Sequence, residues 1–516
     1  MTDASGIADV VIVGAGPVGS GLALLLADRG RSVVVVERWS EPYPLPRAVH
    51  FDHEAARILQ ACGVGDALPK LSEPADVYEW RNAEGLTLLR FDLGETGISG
   101  WPAANMFNQP DLEAELSSRL DANPHVVVRR GAEASAFAQD DDTVALTVRR
   151  GDAEEILRAR FVVGCDGANS TIRRLLDPPM EDHGFFYDWL IVDVALHEPR
   201  VFDPVNLQVC DPTRPTTVVS GGPGRRRWEF MCLPDEALDA LDEETRAWEL
   251  LEPWDVTPVN ATMVRHAGYR FQARWATRWQ SGRVFLAGDA AHLTPPFAGQ
   301  GMCAGLRDSI NLAWKIDHVL AHPDAMQILD SYDEERIPHA AAVVELAIEL
   351  GKVICVPDPA DALVRDDAMA LAAADGAAVP SPPLPALDAG IFRSRTPAVG
   401  ELFVQGRVRS GTSTARFDDV FGAGWRLVTD GELALPGDLT RWFASIGGAV
   451  VAVGMNGPVD DVDATYRRWF DDHNVIAALQ RPDFHVFGTA TSPDDVAELL
   501  DDLRNQLCVA TEWFAE

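Results

Sequence analysis

The chain has 516 residues, 47% hydrophobic and 24% charged, the proportions of a folded globular protein and too many for one ordinary core. A formal net charge of -35 excludes the basic footprint of a nucleic-acid binder and any affinity for an anionic membrane surface. It reads as an acidic, solvated exterior, so a site for an acidic substrate needs a local arginine.

Residues Met1 to Asp9 are acidic and lack the basic region of a secretory leader. No run of about 18 apolar residues occurs, so no spanning helix is expected. Seven dispersed cysteines without a C-x-x-C pair indicate reduced thiols and a cytoplasmic setting. His318 and His322 stand at i, i+4, but lack the glutamate of H-E-x-x-H and fall in a last helical turn, where histidine suits the dipole. No metal site is expected.

The first element is Val10-Val11-Ile12-Val13, a strand buried on both faces, running into Gly14-Ala15-Gly16-Pro17-Val18-Gly19. Gly14 permits the tight turn, Gly16 lets a pyrophosphate approach the backbone, and Gly19 lets the helix from Pro17 to Arg29 pack on the strand. A second strand, Val33 to Val36, ends in Glu37, where an acid takes the ribose hydroxyls of an adenosine. A Pro-rich turn follows, with Arg47 at its junction to a helix over Asp52 to Ala61. Gln109 stands just ahead of a helix from Asp111 to Leu120, either as its cap or facing a cofactor. Strands Val126 to Arg129, Val144 to Val148 and Ile156 to Val163 come next. The Gln139 to Asp142 run between two of them is a solvated hairpin turn.

Two further strand-to-glycine turns follow, at Gly164-Cys165-Asp166-Gly167 and at Gly288-Asp289, whose carboxylate would face a polyol. Between them, residues 181–275 read as an inserted β-rich domain. Helices are expected over Cys303 to Leu320 and Asp333 to Lys352. An Ala/Pro/Asp-rich linker follows at 356–389, including Pro380-Ser381-Pro382-Pro383. The last segment alternates strands (Trp425 to Thr429, Ala449 to Val453, Phe484 to Phe487) with helices (Gly437 to Ser445, Ala464 to Phe470, Ser492 to Gln506). The expected domains are 1–180 and 276–355 for nucleotide binding, 181–275 for substrate, and 390–516 as a separate α/β unit.

The three turns, in this order, resemble those of the single-component (class A) FAD-dependent aromatic hydroxylases. Within that family the similarity runs to the 3-(3-hydroxyphenyl)propionate hydroxylases, on Pro46-Arg47-Ala48, Gly100-Trp101-Pro102, Asn105, Phe107, Gln109-Pro110, Trp189, Cys210-Asp211-Pro212, Arg214-Pro215, Phe230-Met231, Gly299-Gln300-Gly301 and Arg307-Asp308. It covers residues 8 to 355. The tail resembles the thioredoxin-like domain of the larger members, as in Arg481-Pro482-Asp483, but without C-x-x-C. The resemblance implies a Rossmann-like FAD domain, an inserted β-sheet substrate domain and that tail. A homodimer is the expected assembly.

It also implies that Glu37 binds the adenosine ribose, Asp289 the ribityl chain, and Arg47 and Gln109 the flavin. Asp166 would lie near the pyrophosphate and serve the nicotinamide nucleotide. Arg38, Gly288, Pro296, Gly299, Gln300, Gly301 and Met302 complete the cofactor set, and Trp189, Arg214 and Pro296 the substrate set. Where relatives often carry glycine after Pro-Arg-Ala, this chain has His50, followed by Asp52-His53-Glu54.

The reaction implied is hydride transfer from NADH or NADPH to FAD, reaction with O2 to a C4a-hydroperoxide, and oxygen transfer to a phenol ring. A helix starting near Gly301 would direct its positive end at the flavin. His50 is the first candidate for the base that ionises the phenol and Tyr269 the second. Each has a structural reading beside it, a satisfied histidine and a core tyrosine. Arg214 would clamp a propionate carboxylate, whereas Arg225-Arg226-Arg227 reads as an exposed hairpin turn. Other readings are the same chemistry on another phenol or a polycyclic metabolite, a plain NAD-dependent dehydrogenase, and a non-catalytic FAD protein. A yellow protein eliminates the second, and phenol-stimulated NADH oxidation the third.

Overall fold

A computed structural model describes residues 6–372, 384–454 and 458–507. Its first sheet grows outward from the strand Ala8–Val13, which pairs in parallel with Val33–Glu37 on one side and Ala153–Gly164 on the other. Val126–Arg130 and Val284–Leu286 extend it in parallel at the two flanks. The alternation of β-branched strands with helices dictates this, because each crossover must return over a sheet face. Val10, Val11 and Ile12 are fully buried, and so are Leu22 and Leu26 of the helix Pro17–Ala27 that packs on them. Each such side chain contributes about 1.5–3 kcal/mol by leaving water.

The second sheet has eight strands. Its spine is the antiparallel pair Met180–Leu196 and Ala261–Ala276. Residues 181–275 do not build it alone, since Val77–Arg81 and Thr87–Asp92 join its edge through Asn206–Val209. The arginine triplet is corrected here. Arg225–Met231 is a strand, and Arg226 and Arg227 are 4% and 2% exposed, so the triplet is not a solvated turn. The Gln139 to Asp142 turn does form a hairpin, with Asp140 accepting from the Asp142 and Thr143 amides.

The stretch 356–389 contains a helix, Pro359–Ala372. The Pro380 to Pro383 run and Cys508 lie outside the described residues, and the other cysteines are free thiols. The C-terminal sheet runs in the order Ala449–Val453, Arg426–Asp430, Ala477–Gln480, Val486–Ala490, its first pair parallel and the others antiparallel. With the helices Gly437–Ser445, Thr465–His473 and Pro493–Gln506 this is the thioredoxin-like arrangement. The strand expected at Phe484 to Phe487 starts later because Phe484 adopts φ +70 in the turn closed on the Arg481 carbonyl.

This domain grips the first through buried charge. Arg57 donates to both carboxylate oxygens of Asp418 at 2.6 and 3.1 Å and to the Phe403 carbonyl. Arg481 donates to Glu335 and Asp483, while Lys315 and Asn311 reach Glu335 from the helix Gly301–Ala321. Multiple hydrogen bonds offset the desolvation of these ions, and removing one member leaves its partners uncompensated. No described helix is long and apolar enough to cross a membrane.

Candidate active site

One cavity of about 1010 Å³ runs between the two large sheets and past the start of the helix Gly301–Ala321. Its first end is made of backbone turns. Gly14 has φ +108, and a Cβ there would lie 2.3 Å from the Cys165 carbonyl oxygen. A Cβ on Gly19 would lie 2.0 Å from the Gly14 oxygen, so Gly19 packs the helix on the turn without lining the cavity. Gly16 faces open space. Glu37 accepts from the Ala15 amide at 2.8 Å, which holds its carboxylate at the tip of the second strand. Arg38 lines the same end, stacked over Trp39.

Asp289 stands in the third turn. Among the described residues no group hydrogen-bonds its carboxylate, which is exposed into the cavity. Loss of bulk water raises its pKa against the pull of His292, Arg47 and Arg173. Gly288 is a spacer, with φ +61 and its amide donating to Asp308. Asp308 is fixed in turn by His292 at 2.8 Å and Arg336 at 2.9 Å. Pro296, Gly299, Gln300, Gly301 and Met302 line the cavity beside this turn. No side chain caps the Gly301–Ala321 helix, so its positive end opens into the space. A phosphate-approach glycine, a ribose-facing acid, a free carboxylate for a polyol and an uncapped helix start form a donor set that suits FAD.

The opposite end is aromatic, lined by Tyr78, Trp80, Phe91, Phe271 and Phe297, with Thr217 and Asn206 from the second sheet. His50 links the two ends. Its Nδ1 lies 3.2 Å from the Gly299 carbonyl oxygen, which can only accept, so Nδ1 carries the proton and Nε2 is left as an acceptor. Burial lowers its pKa and keeps it neutral. Behind it, Arg307 donates to Asp52 at 2.5 Å, Glu54 at 2.6 Å and Gln300 at 3.0 Å, tying the strand His50–Asp52 to the cofactor loop. Tyr269 lines the cavity with 43% of its surface open to it, so it is not a core tyrosine; partial loss of water around it and the Asp289 charge raise its hydroxyl pKa.

Other expectations move. Gln109 does not cap its helix, which begins at Gln109 itself; it accepts from the Ala48 amide at 2.6 Å and donates to Glu113 at 2.5 Å. Arg47 lines the cavity between Tyr43 and Glu113. Asp166 lines the cavity, and its carboxylate also accepts from Ser170 and from the Thr171 and Ile172 amides at a helix start. Trp189 is fully buried behind the wall, against Phe271 and Phe297. Arg214 does not reach the cavity. It is locked onto Glu236 at 2.5 and 2.6 Å and donates to the Met231 carbonyl.

Sequence reasoning missed the aromatic wall from Tyr78, Trp80 and Phe91, because nothing local shows that residues 77–92 join a sheet built a hundred residues later. Alternating aromatics at Tyr78 and Trp80 were the available signal. It also missed Arg227, whose guanidinium binds Asp193 at 2.7 and 2.9 Å and the Pro46 and Arg47 carbonyls.

Comparison with known proteins places this geometry. A family model described as an FAD binding domain matches residues 7–347, and one described as an HcaD C-terminal domain matches residues 400–506. The chain is 40% identical over 508 residues to a probable NADH-specific resorcinol 4-hydroxylase of Rhodococcus jostii, covering 96% of this chain and 94% of that one. It is 34% identical to a 3-(3-hydroxy-phenyl)propionate/3-hydroxycinnamic acid hydroxylase of Klebsiella pneumoniae, covering 98% and 95%. Among solved structures, aklavinone-11 hydroxylase with FAD and aklavinone superposes with TM-score 0.77 at 26% identity, over 97% of this chain and 99% of that one.

Proposed function

The chain belongs to the FAD-dependent aromatic hydroxylases and is a flavoprotein monooxygenase, and we propose that its substrate is a small phenol without a carboxylate, of the resorcinol kind. The observation that carries this is that the cavity's Arg227 and Arg307 are both held in buried ion pairs. Among the described residues there, Arg227 is bound to Asp193 and Arg307 to Asp52 and Glu54, while Arg214 lies outside the cavity. Arg47 and Arg265 also line the cavity, at the Pro46 loop, Arg265 on the Pro46 carbonyl and Arg47 3.6 Å from Glu113. A propionate carboxylate buried at the aromatic end would go unpaired, at a cost of several kcal/mol. The relative named for resorcinol and NADH agrees with this choice.

When bound, FAD supplies the redox chemistry, accepting hydride from NADH and delivering one oxygen atom of O2 to the ring. The protein's part is to hold, exclude water and move a proton. Glu37 and the Gly14 to Gly19 turn would hold the adenosine and pyrophosphate, and Asp289 the ribityl hydroxyls. The helix start at Gly301 would stabilise negative charge on the reduced ring. His50 Nε2 would accept the phenol proton, making the ring more electron-rich. Free thiols and the use of NADH suit a reducing cytoplasm.

The test is turnover of resorcinol by the FAD-loaded protein with NADH under isotopically labelled dioxygen. The expected product is benzene-1,2,4-triol carrying one labelled oxygen. NADH oxidation yielding only hydrogen peroxide would contradict the substrate assignment. The relatives named for phenylpropionate supply a second reading, whose mark would be efficient turnover of the carboxylated phenol.

A further inference from the structure

The cavity does not end at the aromatic pocket. One face of the helix Ser331–Ile354 continues along it, with His339, Leu346 and Leu350 all lining the space. Their spacing of seven and then four residues stacks them on a single stripe. The stripe runs from the aromatic end, beside Leu350, to a lobe against the C-terminal domain at His339.

The facing wall comes from beyond the FAD domain. Leu384, Pro385 and Ala386 line the lobe together with Gly400, Glu401 and Leu402. The two stretches form one piece, because the Leu387 amide donates to the Gly400 carbonyl at 2.9 Å. Pro385, Ala386 and Glu401 are exposed, so the lobe reaches the surface there, whereas His339 and His485 inside it are 4% and 7% exposed.

His339 Nδ1 is buried with no hydrogen-bond partner, although its residue lines open space. Burial and the flanking Arg336, Arg307, His485 and His292 keep the ring neutral, able to accept or donate but not to trap an anion. His485 is oriented by the Asp483 carbonyl at 3.0 Å.

We propose that this arm is the passage by which the phenol enters and the hydroxylated product leaves, between the Ser331–Ile354 helix and the C-terminal domain. Leu346 and Leu350 on one side and Leu384, Pro385 and Leu402 on the other, with the His339 and His485 rings beside them, match a small aromatic ring bearing hydroxyls. It also gives the C-terminal domain, which lacks C-x-x-C, a part in the reaction. The inference rests on the phenol-site reading above.

The experiment follows phenol association by its perturbation of the flavin absorption, in stopped flow, with resorcinol as probe and no NADH. Ala386→Cys is purified as holoenzyme and capped with a bulky, reducible thiosulfonate; the wild-type protein treated alike is the control, and Ala386→Trp is a second variant. A passage slows entry and exit equally, so both rate constants should fall ~10-fold with Kd unchanged and be restored by reduction. Unchanged rates in the capped holoenzyme would overturn the passage. So would a changed Kd with unchanged association, which would make the arm a binding site. If resorcinol leaves the wild-type spectrum unaltered, the phenol-site reading fails instead.

Discussion

The two ends of the cavity are built on opposite principles. The dinucleotide end is backbone: strand-to-glycine turns and an uncapped helix start, with a few carboxylates fixed by amides. The ring end is side chain: aromatics from four separate stretches packed on one another, beside a His50 strand tied down by the buried ion pairs of Arg307 with Asp52 and Glu54. A backbone site fails when a Cβ is added, whereas a side-chain site fails when a charge is removed. The C-terminal domain belongs to the second kind, since Asp418 reaches through Arg57 into the helix His53–Ala61, which starts beside Asp52.

The sharpest break in that contrast is at Gly14. Gly14→Val should abolish FAD retention, because the left-handed backbone alone costs about 1–3 kcal/mol and the Cβ overlaps the Cys165 carbonyl. The purified variant should be colourless, with its fold checked by circular dichroism. Next is Arg307→Ala, which leaves two buried carboxylates unpaired and should lower stability by about 3–5 kcal/mol in urea denaturation. It should also loosen the ring end while FAD still binds.

His50→Asn tests the junction between the ends. It should lower kcat on the order of 10²-fold with little change in FAD affinity. The pH profile adds a sign. Burial holds the His50 pKa below the usual histidine value, so the neutral base is present at pH 7 and is lost only as pH falls through that lowered value. The wild type should show an acid limb in kcat/KM below the normal histidine range, and the variant should lack it. The smallest effect belongs to Arg214→Met, which should leave the KM for resorcinol within about twofold, since a clamp on Glu236 outside the cavity touches no substrate. A tenfold rise in the KM for 3-(3-hydroxyphenyl)propionate would restore the carboxylate-clamp reading.

The same contrast explains what was legible beforehand. Gly14, Glu37 and Asp289 stand in the sequence as local patterns, because a strand, a turn and a helix start are contiguous in the chain. The alternating strands and helices of the C-terminal domain were readable for the same reason, whereas its thioredoxin-like character came from resemblance to the larger hydroxylases. The ring end was not. Arg227 looked like a surface triplet after a Gly-rich turn, and only pairing with Met180–Leu196 buries it against Asp193. Arg214 had the right chemistry and the wrong neighbour: Glu236, twenty-two residues on, takes it through a turn that no periodicity announces. Asp166 lines the cavity as its position suggests, while its carboxylate also accepts from the start of the following helix.

The central claim is that the aromatic end receives a neutral phenol. The measurement that tests it most directly is the ratio of kcat/KM for resorcinol to that for 3-(3-hydroxyphenyl)propionate, with NADH oxidation and ring-hydroxylated product both quantified. With Arg227 and Arg307 held in ion pairs, resorcinol should be favoured by on the order of 10²-fold or more, with product formation matching NADH consumed. Equal or better turnover of the carboxylated phenol would contradict the account and require a cation that these ion pairs hold elsewhere.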